Sequence, residues 1–315
     1  MPPTILVAGA TGNTGRGVVE TLTKLLKSDE NFLSGYRILA LTRSLNGAAA
    51  KKLAQLPGVE VAEQNWVEIT AEWLRQNNVV RAFIASHNQP NQFAEESTFH
   101  LAALQAGVEY VVRISTMAPN VRPDCPAYYP RTHWAIEAVL GSPEFQRMHW
   151  TSLQANLFSA FHLASAAELV KKYRETGKQG PLRLLASEDA PIAVIDSDEV
   201  GAIAAHLLVQ KDTAIHNRAK YVLNGPQDIT GSQIVKMVED HIGTKVEDVH
   251  YKDMSFVEQM AAASQESRNV IMSTKRAVET AWDGKCTAAA TSQEVLDLAP
   301  PKRTPEEVFK TMLEG

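Results

Sequence analysis

A glycine-rich loop directly behind an apolar run constrains the fold of this chain more than any other feature. Within residues 4–17, TILVAGATGNTGRG, three glycines recur at intervals of three residues. Gly9 can make the tight turn from a strand into a helix, Gly12 lets a pyrophosphate approach the backbone, and Gly15 lets the helix pack close to a sheet. The free N–H groups at the start of that helix would face the phosphates. The segment therefore predicts a dinucleotide site, formed in this loop by Gly9, Thr11, Gly12, Asn13, Thr14 and Gly15.

Short β-branched runs alternate with helical stretches through the first half of the chain. This alternation is typical of a parallel sheet covered by helices on both faces. The strands are predicted in TILVAG, YRILALTR, VEVAEQ, VVRAFIAS, EYVVRIST, HWTSLQANLF and KYVLNG. The segment APIAVIDSDEVGAIAAHLL predicts one more strand, followed by an N-cap at Asp196 or Asp198 and a helix. Helices are also predicted in STFHLAALQAG, which ends at Gly107, and in RTHWAIEAVL.

The second half of the chain has a different character and predicts a smaller domain. An amphipathic helix is predicted in FHLASAAELVKKYRETGKQG, a helix capped by Thr230 or Ser232 in TGSQIVKMVEDHIG, and a final helix from Pro305. The predicted fold class is α/β, a doubly wound parallel sheet with a smaller α+β C-terminal substrate domain. We expect residues 1–156 and 192–224 to form the dinucleotide-binding domain, and residues 157–191 and 225–315 to form the substrate-binding domain.

Composition excludes several classes of function. The chain has 315 residues, a hydrophobic content of 44%, a charged content of 21% and a net charge of −5, and this charge gives no general attraction to nucleic acid or to an anionic membrane. No apolar stretch approaches the ~20 residues of a membrane span. Cys125 and Cys286 lie far apart and have no metal-ligand spacing. These features predict a soluble cytoplasmic protein without a metal site.

The residues after the second predicted strand favour a phosphorylated dinucleotide. Sites that are specific for NAD place an acid there to bond the ribose hydroxyls. This chain has Arg43 and Ser44 instead, and residues 36–56 contain no Asp or Glu. A guanidinium fits a 2′-phosphate because its fork engages the oxygens and its charge persists at any pH. NADP(H) is therefore the predicted cofactor, although Arg43 could also be an ordinary surface arginine.

Motifs along most of the chain resemble the NmrA-like family of atypical short-chain dehydrogenases/reductases. The loop GATGNTG has the glycine spacing of that group, and ALTRS, ISTMAPN, THWAIEAVL, WTSLQANLF, IDSDEVGAIAAHLL and YVLNGPQDITGSQIV resemble family landmarks in the same order. The resemblance implies a Rossmann-type domain, a small substrate domain and NAD(P) in the cleft between them. Family members are either NADPH-dependent reductases of small molecules or redox-sensing regulators. The acid that often contacts adenine in this family is replaced here by Gln64 and Asn65, and the Asn65 amide could still bond the adenine edge.

The Tyr–Lys pair by which short-chain reductases usually transfer a proton is absent. No lysine occurs between Lys52 and Lys171, the stretch that would have to contain it. Tyr129 and His133 have the same four-residue separation, which brings them to one face of a helix. An imidazole can exchange a proton near neutral pH, so His133 and Tyr129 are candidate acids. His133 could instead only pack or contact cofactor, and Tyr129 could only line the pocket.

Further candidate residues follow the later strands. His87 and Asn88 come after the fourth strand, where we expect cofactor contact. Ser115 takes the usual place of the short-chain serine and is a candidate catalytic residue, while Thr116 and Asn156 are predicted to contact the cofactor. The leading hypothesis is an NADPH-dependent reductase of a small carbonyl, quinone or enone. The alternatives are a dinucleotide-sensing regulator with a protein partner, and a non-redox isomerase or dehydratase on the same scaffold.

Overall fold

The computed structural model describes residues 2–27 and 32–314. The strands are Thr4–Ala8 (β1), Arg37–Thr42 (β2), Val59–Glu63 (β3), Val79–Ile84 (β4), Tyr110–Ile114 (β5), His149–Ala155 (β6), Leu182–Arg183 (β7), Ala219–Leu223 (β8) and Val249–His250 (β9). The helices are Asn13–Leu25 (α1), Ala48–Leu53 (α2), Ala71–Gln76 (α3), Gln92–Ala106 (α4), Tyr128–Leu140 (α5), Ser159–His162 (α6), Ala164–Thr176 (α7), Ser197–Leu208 (α8), Gly231–Ile242 (α9), Ser255–Ala263 (α10), Arg268–Ser273 (α11), Glu279–Trp282 (α12), Gln293–Leu298 (α13) and Pro305–Glu314 (α14).

One parallel sheet of seven strands organises the fold. Its strand order is β3-β2-β1-β4-β5-β6-β8, and every neighbouring pair is parallel. The chain runs outward from β1 to β3 and then returns to place β4 on the other side of β1. A crevice opens at such a reversal, beyond the carboxyl ends of the strands, and dinucleotides bind there. The fold is the Rossmann-type doubly wound sheet that the sequence predicts.

Two apolar layers cover the faces of this sheet. On one face, Ile5 and Val7 of β1 pack with Val18 of α1 and Ile203 of α8. On the other face, Leu6 and Ala8 pack in a separate cluster with helices α3, α4 and α5. Every residue of β1 is buried, as the continuous apolar run TILVA requires. Burial of each such aliphatic side chain stabilises the fold by about 1.5–3 kcal/mol.

Glycines bring α1 and α8 into backbone contact. A Cβ atom on Gly201 of α8 would lie 2.5 Å from the Thr14 carbonyl oxygen and 2.7 Å from the Val18 nitrogen. A Cβ on Gly17 of α1 would lie 2.7 Å from the Asp198 carbonyl oxygen. No side chain fits at either position, so the two helices cross as closely as their backbones allow. This packing fixes the N-terminus of α1 beside the carboxyl end of β1.

Several local predictions are confirmed. Gly107 ends α4 with a left-handed φ of 84°. Asp196 caps α8 by accepting from the Asp198 N–H, Thr230 caps α9, and α14 begins at Pro305. The helix predicted from Arg131 begins earlier, at Tyr128, so that Pro130 lies in its first turn.

The strand predicted around residues 190–195 is wrong. Its residues form only isolated bridges, of Ile192 with Ile229 and of Ile195 with Phe158. The N–H groups of this segment bond to three different parts of the chain. Ile192 donates to the Ile229 carbonyl oxygen, Ala193 to that of Cys286, and Ile195 to that of Leu157. An extended apolar segment becomes a strand only where one neighbour pairs with consecutive residues, and none does so here. The single amphipathic helix predicted from Phe161 is likewise divided, into α6 and α7 at Leu163.

A third apolar cluster lies apart from the sheet. It joins Val170 of α7, Leu182 of β7, Ile234 of α9 and Phe309 of α14. β7 and β9 pair as a separate two-stranded parallel sheet. These elements all belong to the predicted substrate-binding domain, whose boundaries stay a prediction. Within the described residues, no helix combines the length and the apolar character needed to cross a bilayer.

Candidate functional site

A cleft of about 740 Å³ opens beyond the carboxyl ends of the parallel strands. This volume is in the range of small-molecule and cofactor sites. The structure brings together at this cleft almost all of the residues predicted from the sequence. Those that line it are Gly9, Thr11, Gly12, Asn13, Thr14, Gly15, Arg43, Asn65, His87, Asn88, Ser115, Thr116, Tyr129, His133 and Asn156. Ser44 is the predicted site residue that does not line it.

The glycine loop has the geometry of a phosphate cradle. Gly9 has a left-handed φ of +82°, and its carbonyl oxygen accepts from the Gly12 N–H at 2.9 Å. A Cβ on Gly15 would lie 2.1 Å from the Gly9 carbonyl oxygen, so only glycine allows α1 to start this close to the turn. No side chain caps α1 at its N-cap Gly12. The first N–H groups of α1 are therefore available to an anion, which the helix dipole also favours.

Arg43 extends from the end of β2 at the rim of the cleft. Its side chain is exposed, and within the described ranges it forms no ion pair or side-chain hydrogen bond. Ser44 turns away into a local turn in which its N–H donates to Thr42 Oγ1 at 3.2 Å. A guanidinium without a protein partner is free to bind an anionic ligand group. The contact predicted for Ser44 stays a prediction.

Asn65 and Trp66 form the wall next to Arg43. Asn65 Oδ1 accepts from the Val67 N–H at 3.3 Å and thereby caps a short 3-10 turn. The Trp66 ring packs edge-on against Phe99 and lies 5.9 Å, centroid to centroid, from the His87 ring. Sequence reasoning missed Trp66, although its place directly after Asn65 was a usable signal.

His87 is fixed by the first turn of α4. Its Nε2 pairs with the Glu95 carboxylate at 2.5 Å, and its Nδ1 accepts from the Gln89 N–H at 3.2 Å. Asn91 also donates to Glu95. Both ring nitrogens of His87 already have hydrogen-bond partners. This residue therefore contributes its shape and its backbone groups to the cleft, and its ring has no free N–H to donate.

His133 is held by a fully buried arginine. Arg113 Nη2 lies 2.8 Å from His133 Nδ1, and a guanidinium can only donate. Nδ1 is therefore the acceptor, the ring proton is on Nε2, and Nε2 donates to Asn88 Oδ1 at 3.0 Å. The Tyr128 hydroxyl donates to the Asn88 carbonyl oxygen. Together these bonds orient Asn88 at the cleft, and they leave its amide N–H groups without a partner among the described residues.

Two buried carboxylates compensate the charge of Arg113. Arg113 Nε donates to Glu96 Oε1 at 2.6 Å, and Nη1 lies 3.7 Å from Glu137 Oε1. Ser152 links the two sides, accepting from Arg113 and donating to Glu137 at 2.7 Å. Burial acts to raise the pKa of Glu96, but the charge of Arg113 and hydrogen bonds from Arg113 and His100 hold that pKa well below its ordinary value. Glu96 is thus ionised and fixes the arginine in place.

This network changes the role expected of His133. The side chain is 2% exposed, and burial together with the neighbouring charge of Arg113 lowers its pKa to about 3. The ring is therefore neutral near pH 7. Its only N–H is already donated to Asn88. A neutral, fully bonded imidazole is a poor general acid, so the structure favours orientation of Asn88 over proton transfer.

Tyr129 and Ser115 offer hydroxyl groups to the cleft. Burial raises the pKa of Tyr129 to about 12, although a hydrogen bond with Thr116 acts in the opposite direction. The phenol therefore retains its proton at neutral pH. Ser115 Oγ is buried and has no hydrogen-bond partner in residues 2–27 and 32–314. A buried hydroxyl without a partner is costly, and a ligand carbonyl would satisfy it.

The side-chain amide of Asn156 forms hydrogen bonds with four other groups of the protein. Its Nδ2 donates to the carbonyl oxygen of Ala193 at 2.8 Å and of Cys286 at 3.0 Å, and to Asn224 Oδ1 at 2.8 Å. Its Oδ1 accepts from the Leu157 N–H at 2.8 Å. The amide therefore ties together segments that meet beneath the cleft. The predicted contact with the nicotinamide is not tested by this geometry and stays a prediction.

Sequence reasoning missed the support beneath His133. Arg113 lies inside the apolar strand VVRIS, and Glu96 lies on the buried face of α4. A charged residue in a fully buried strand is rare unless it is paired, and this was the available signal. In the part of the chain that the structure describes, no group of three or more His, Cys, Asp or Glu residues is arranged to hold a metal ion.

Comparison with known proteins identifies a family and a fold. The sequence profile of the NmrA-like family matches residues 1–306. The NADPH-dependent quinone oxidoreductase of Escherichia coli, crystallised with NADPH, is 22% identical, with a TM-score of 0.71 over 98% of this chain and 99% of that chain. The triphenylmethane reductase of a Citrobacter species, complexed with NADP(H), is 20% identical, with a TM-score of 0.68 over 98% of this chain and 100% of that chain.

A regulator has a similar structure. NmrA, a negative transcriptional regulator crystallised with NADP, is 14% identical, with a TM-score of 0.68 over 99% of this chain and 95% of that chain. No curated protein sequence matches this chain. At these identities the structural likeness establishes the fold, which is shared by enzymes and by a regulator.

Proposed function

The chain belongs to the NmrA-like family, and we propose that it is an NADPH-dependent reductase of a small carbonyl, quinone or enone. The observation that carries the proposal is the pair of hydroxyl groups in the cleft. Ser115 Oγ is buried without a protein partner, and the phenol of Tyr129 is protonated at neutral pH. Both line the cleft that carries the dinucleotide loop. A protein that only senses a dinucleotide has no need of them.

NADP(H) is the cofactor that the residues fit. The backbone around Gly15 leaves no room for a Cβ, and the N–H groups at the start of α1 are free for a pyrophosphate. Arg43 has no protein partner in the described ranges and supplies a charge for a 2′-phosphate. Related structures crystallised with NADPH or NADP support this assignment. When bound, the cofactor supplies a hydride to the substrate.

We assign the proton-handling steps to this chain's own hydroxyl groups. Ser115 donates a hydrogen bond to the substrate carbonyl and polarises it. Tyr129 gives its proton to the substrate oxygen as negative charge develops there. The raised pKa of Tyr129 keeps that proton in place until a strongly basic oxygen forms. His133 and Arg113 act indirectly, because they hold Asn88 in one orientation at the wall of the cleft.

A dinucleotide-sensing regulator is the second candidate. The missing Tyr–Lys pair favours it, since His133 and not a lysine stands four residues after Tyr129. The fold shared with a transcriptional regulator is also compatible with it. In this case a protein partner would bind with different affinity to the NADP⁺ and NADPH forms. The scaffold is also compatible with a non-redox isomerase or dehydratase, but no particular contact favours one.

A turnover panel tests the proposal. Wild-type protein should oxidise NADPH in the presence of at least one member of a panel of naphthoquinones, cyclic enones and aromatic ketones, and it should prefer NADPH to NADH. Absence of oxidation across the panel would count against the reductase. Pull-downs in NADP⁺ and in NADPH would then test for a partner whose binding depends on the redox state.

A further inference from the structure

A small cavity lies beside the main cleft, on the side of the predicted substrate-binding domain. It has a volume of about 10 Å³, which is room for one water-sized group. Apolar side chains form most of its wall, among them Leu157, Leu185, Ile192 and Val278. Leu157 also lines the main cleft, so the two spaces share a wall. Leu157 is the residue that the two linings share, so a ligand group that reaches the cavity from the cleft would pass this side chain.

His162 is the buried polar side chain of this cavity that lacks a hydrogen-bond partner. It is the last residue of α6, its side chain is 4% exposed, and it lines the cavity. Neither Nδ1 nor Nε2 has a hydrogen-bond partner in the described part of the chain. Burial lowers its pKa to about 4, so the ring is neutral and offers one donor and one acceptor. Buried polar groups of this kind are normally satisfied by water or by a ligand.

The remaining lining residues restrict the chemistry of an occupant. None of them carries a charge. The Trp282 indole N–H is already donated to the Leu185 carbonyl oxygen at 2.9 Å. A carboxylate or ammonium group would therefore be buried without a counter-charge, which is strongly unfavourable. An uncharged group of the size of a hydroxyl fits both the volume and the imidazole.

The residue next to His162 contributes an aromatic ring to the main cleft. Phe161, the residue before His162, is 54% exposed and lines the main cleft. Its ring packs edge-to-face with Phe256 of α10, with centroids 5.9 Å apart. Exposed aromatic rings at a binding cleft favour flat, apolar ligands, which can stack on them.

We propose that His162 and its cavity form a subsite of the substrate pocket that binds one uncharged hydroxyl group on an otherwise apolar, ring-containing substrate. This inference rests on the proposed function for its setting, because it names the class of compound that the cleft accepts. Within that class, His162 determines specificity through a hydrogen bond that an unsubstituted ring does not make.

Two ligands of nearly equal shape test the subsite. The probes are 2-(hydroxymethyl)-1,4-naphthoquinone and 2-ethyl-1,4-naphthoquinone, which differ by a hydroxyl in place of a methyl group. Their affinities are measured by calorimetry on the NADP⁺-saturated protein, where no hydride is available and turnover cannot interfere. Wild type should bind the hydroxymethyl compound about 3–10-fold more tightly, the range of one net hydrogen bond.

Variants assign the preference to the imidazole. His162→Leu should abolish it while leaving the affinity for the ethyl compound within about twofold, and His162→Gln, which keeps a donor and an acceptor, should restore part of it. His206→Leu is the matched control, because His206 is a half-buried histidine on α8 that lines neither the cleft nor the cavity. Imidazole NMR signals of His162 in wild type give a readout that needs no variant, since only the hydroxymethyl compound should shift them.

Several results would overturn the subsite. Equal affinities of wild type for the two probes would mean that a trapped water satisfies His162. A preference that survives His162→Leu, or a failure of both probes to bind, would also contradict the inference. The proposed function is judged separately by NADPH oxidation. Turnover without a hydroxyl preference refutes the subsite alone, whereas a preference in binding without turnover refutes the reductase alone.

Discussion

Arg43 is the residue on which we propose that the choice between NADPH and NADH depends. Its exposed guanidinium lines the cleft and has no partner among the described residues. Arg43→Ala should weaken NADPH binding by roughly 1–3 kcal/mol, as expected for the loss of a charge-assisted contact. The affinity for NADH should hardly change, because NADH has no 2′-phosphate. Calorimetric titration of both cofactors measures the difference.

The control for this prediction is Arg75→Ala. Arg75 is a half-exposed arginine on α3 that pairs with Glu72 and does not line the cleft. The Arg75→Ala substitution should leave the affinities for NADPH and for NADH unchanged. Equal losses of NADPH and NADH affinity in Arg43→Ala would show that Arg43 does not recognise the phosphate.

His162 also predicts a dependence of stability on pH. Burial lowers its pKa to about 4 in the folded protein, against about 6.5 in an unfolded chain. The unfolded state therefore binds more protons between these values, so the stability contributed by the neutral ring is present above pH 6.5 and is lost as pH falls. His162 should therefore lower the free energy of unfolding by about 1 kcal/mol when the pH falls from 7 to 5.5.

Urea unfolding of wild type and His162→Leu at the two pH values measures this effect. The variant should lose about 1 kcal/mol less than wild type on acidification, because leucine binds no proton. The other titrating groups are common to both proteins and cancel in the difference. Identical pH dependence in the two proteins would mean that His162 is not buried as a neutral ring.

At the scale of elements, the crossing of α1 and α8 positions the end of α1 that we propose to bind the cofactor phosphates. Gly201→Ala would place a Cβ 2.5 Å from the Thr14 carbonyl oxygen. The helices would have to separate, at a cost of about 1–3 kcal/mol in the free energy of unfolding. NADPH affinity should fall as well, because Thr14 belongs to the turn that carries the free N–H groups. Denaturant unfolding and cofactor titration check the two effects.

Gly180→Ala separates this effect from the general cost of replacing a glycine. A Cβ at Gly180 would meet nothing within 4 Å, so stability and cofactor binding should stay near those of wild type. If Gly201→Ala were equally harmless, the close crossing of the helices would not position the loop.

Local patterns determined which elements were predictable. The β1 run and the glycine loop carry their own signals, because apolar continuity and glycine spacing act within about a dozen residues. The segment around Ile192 looks equally extended, but its backbone bonds to three separate segments, which no local pattern reveals. The network of Arg113 was missed for the same reason. Its partner Glu96 comes from another element, and only the packed fold brings the two together.

At the scale of the whole molecule, the sheet, the cleft and the family were accessible from the sequence. Motifs distributed over most of the chain carried the resemblance, and the family profile spans residues 1–306. The chemistry was less accessible. Burial and the neighbouring charge of Arg113 from β5 lower the pKa of His133, and burial raises the pKa of Tyr129. These long-range effects changed the preferred proton donor from an imidazole to a phenol.

A single-turnover measurement tests the central claim, which is that the cleft reduces its substrate with Tyr129 as proton donor. The NADPH complexes of wild type, Tyr129→Phe and the remote control Tyr173→Phe are mixed with the best substrate of the panel, and the loss of NADPH absorbance is followed by stopped flow. Tyr129→Phe should slow NADPH oxidation by ~10²–10⁴-fold, the usual contribution of a general acid, with NADPH affinity unchanged. Tyr173→Phe should match wild type. An unchanged rate in Tyr129→Phe would contradict the account.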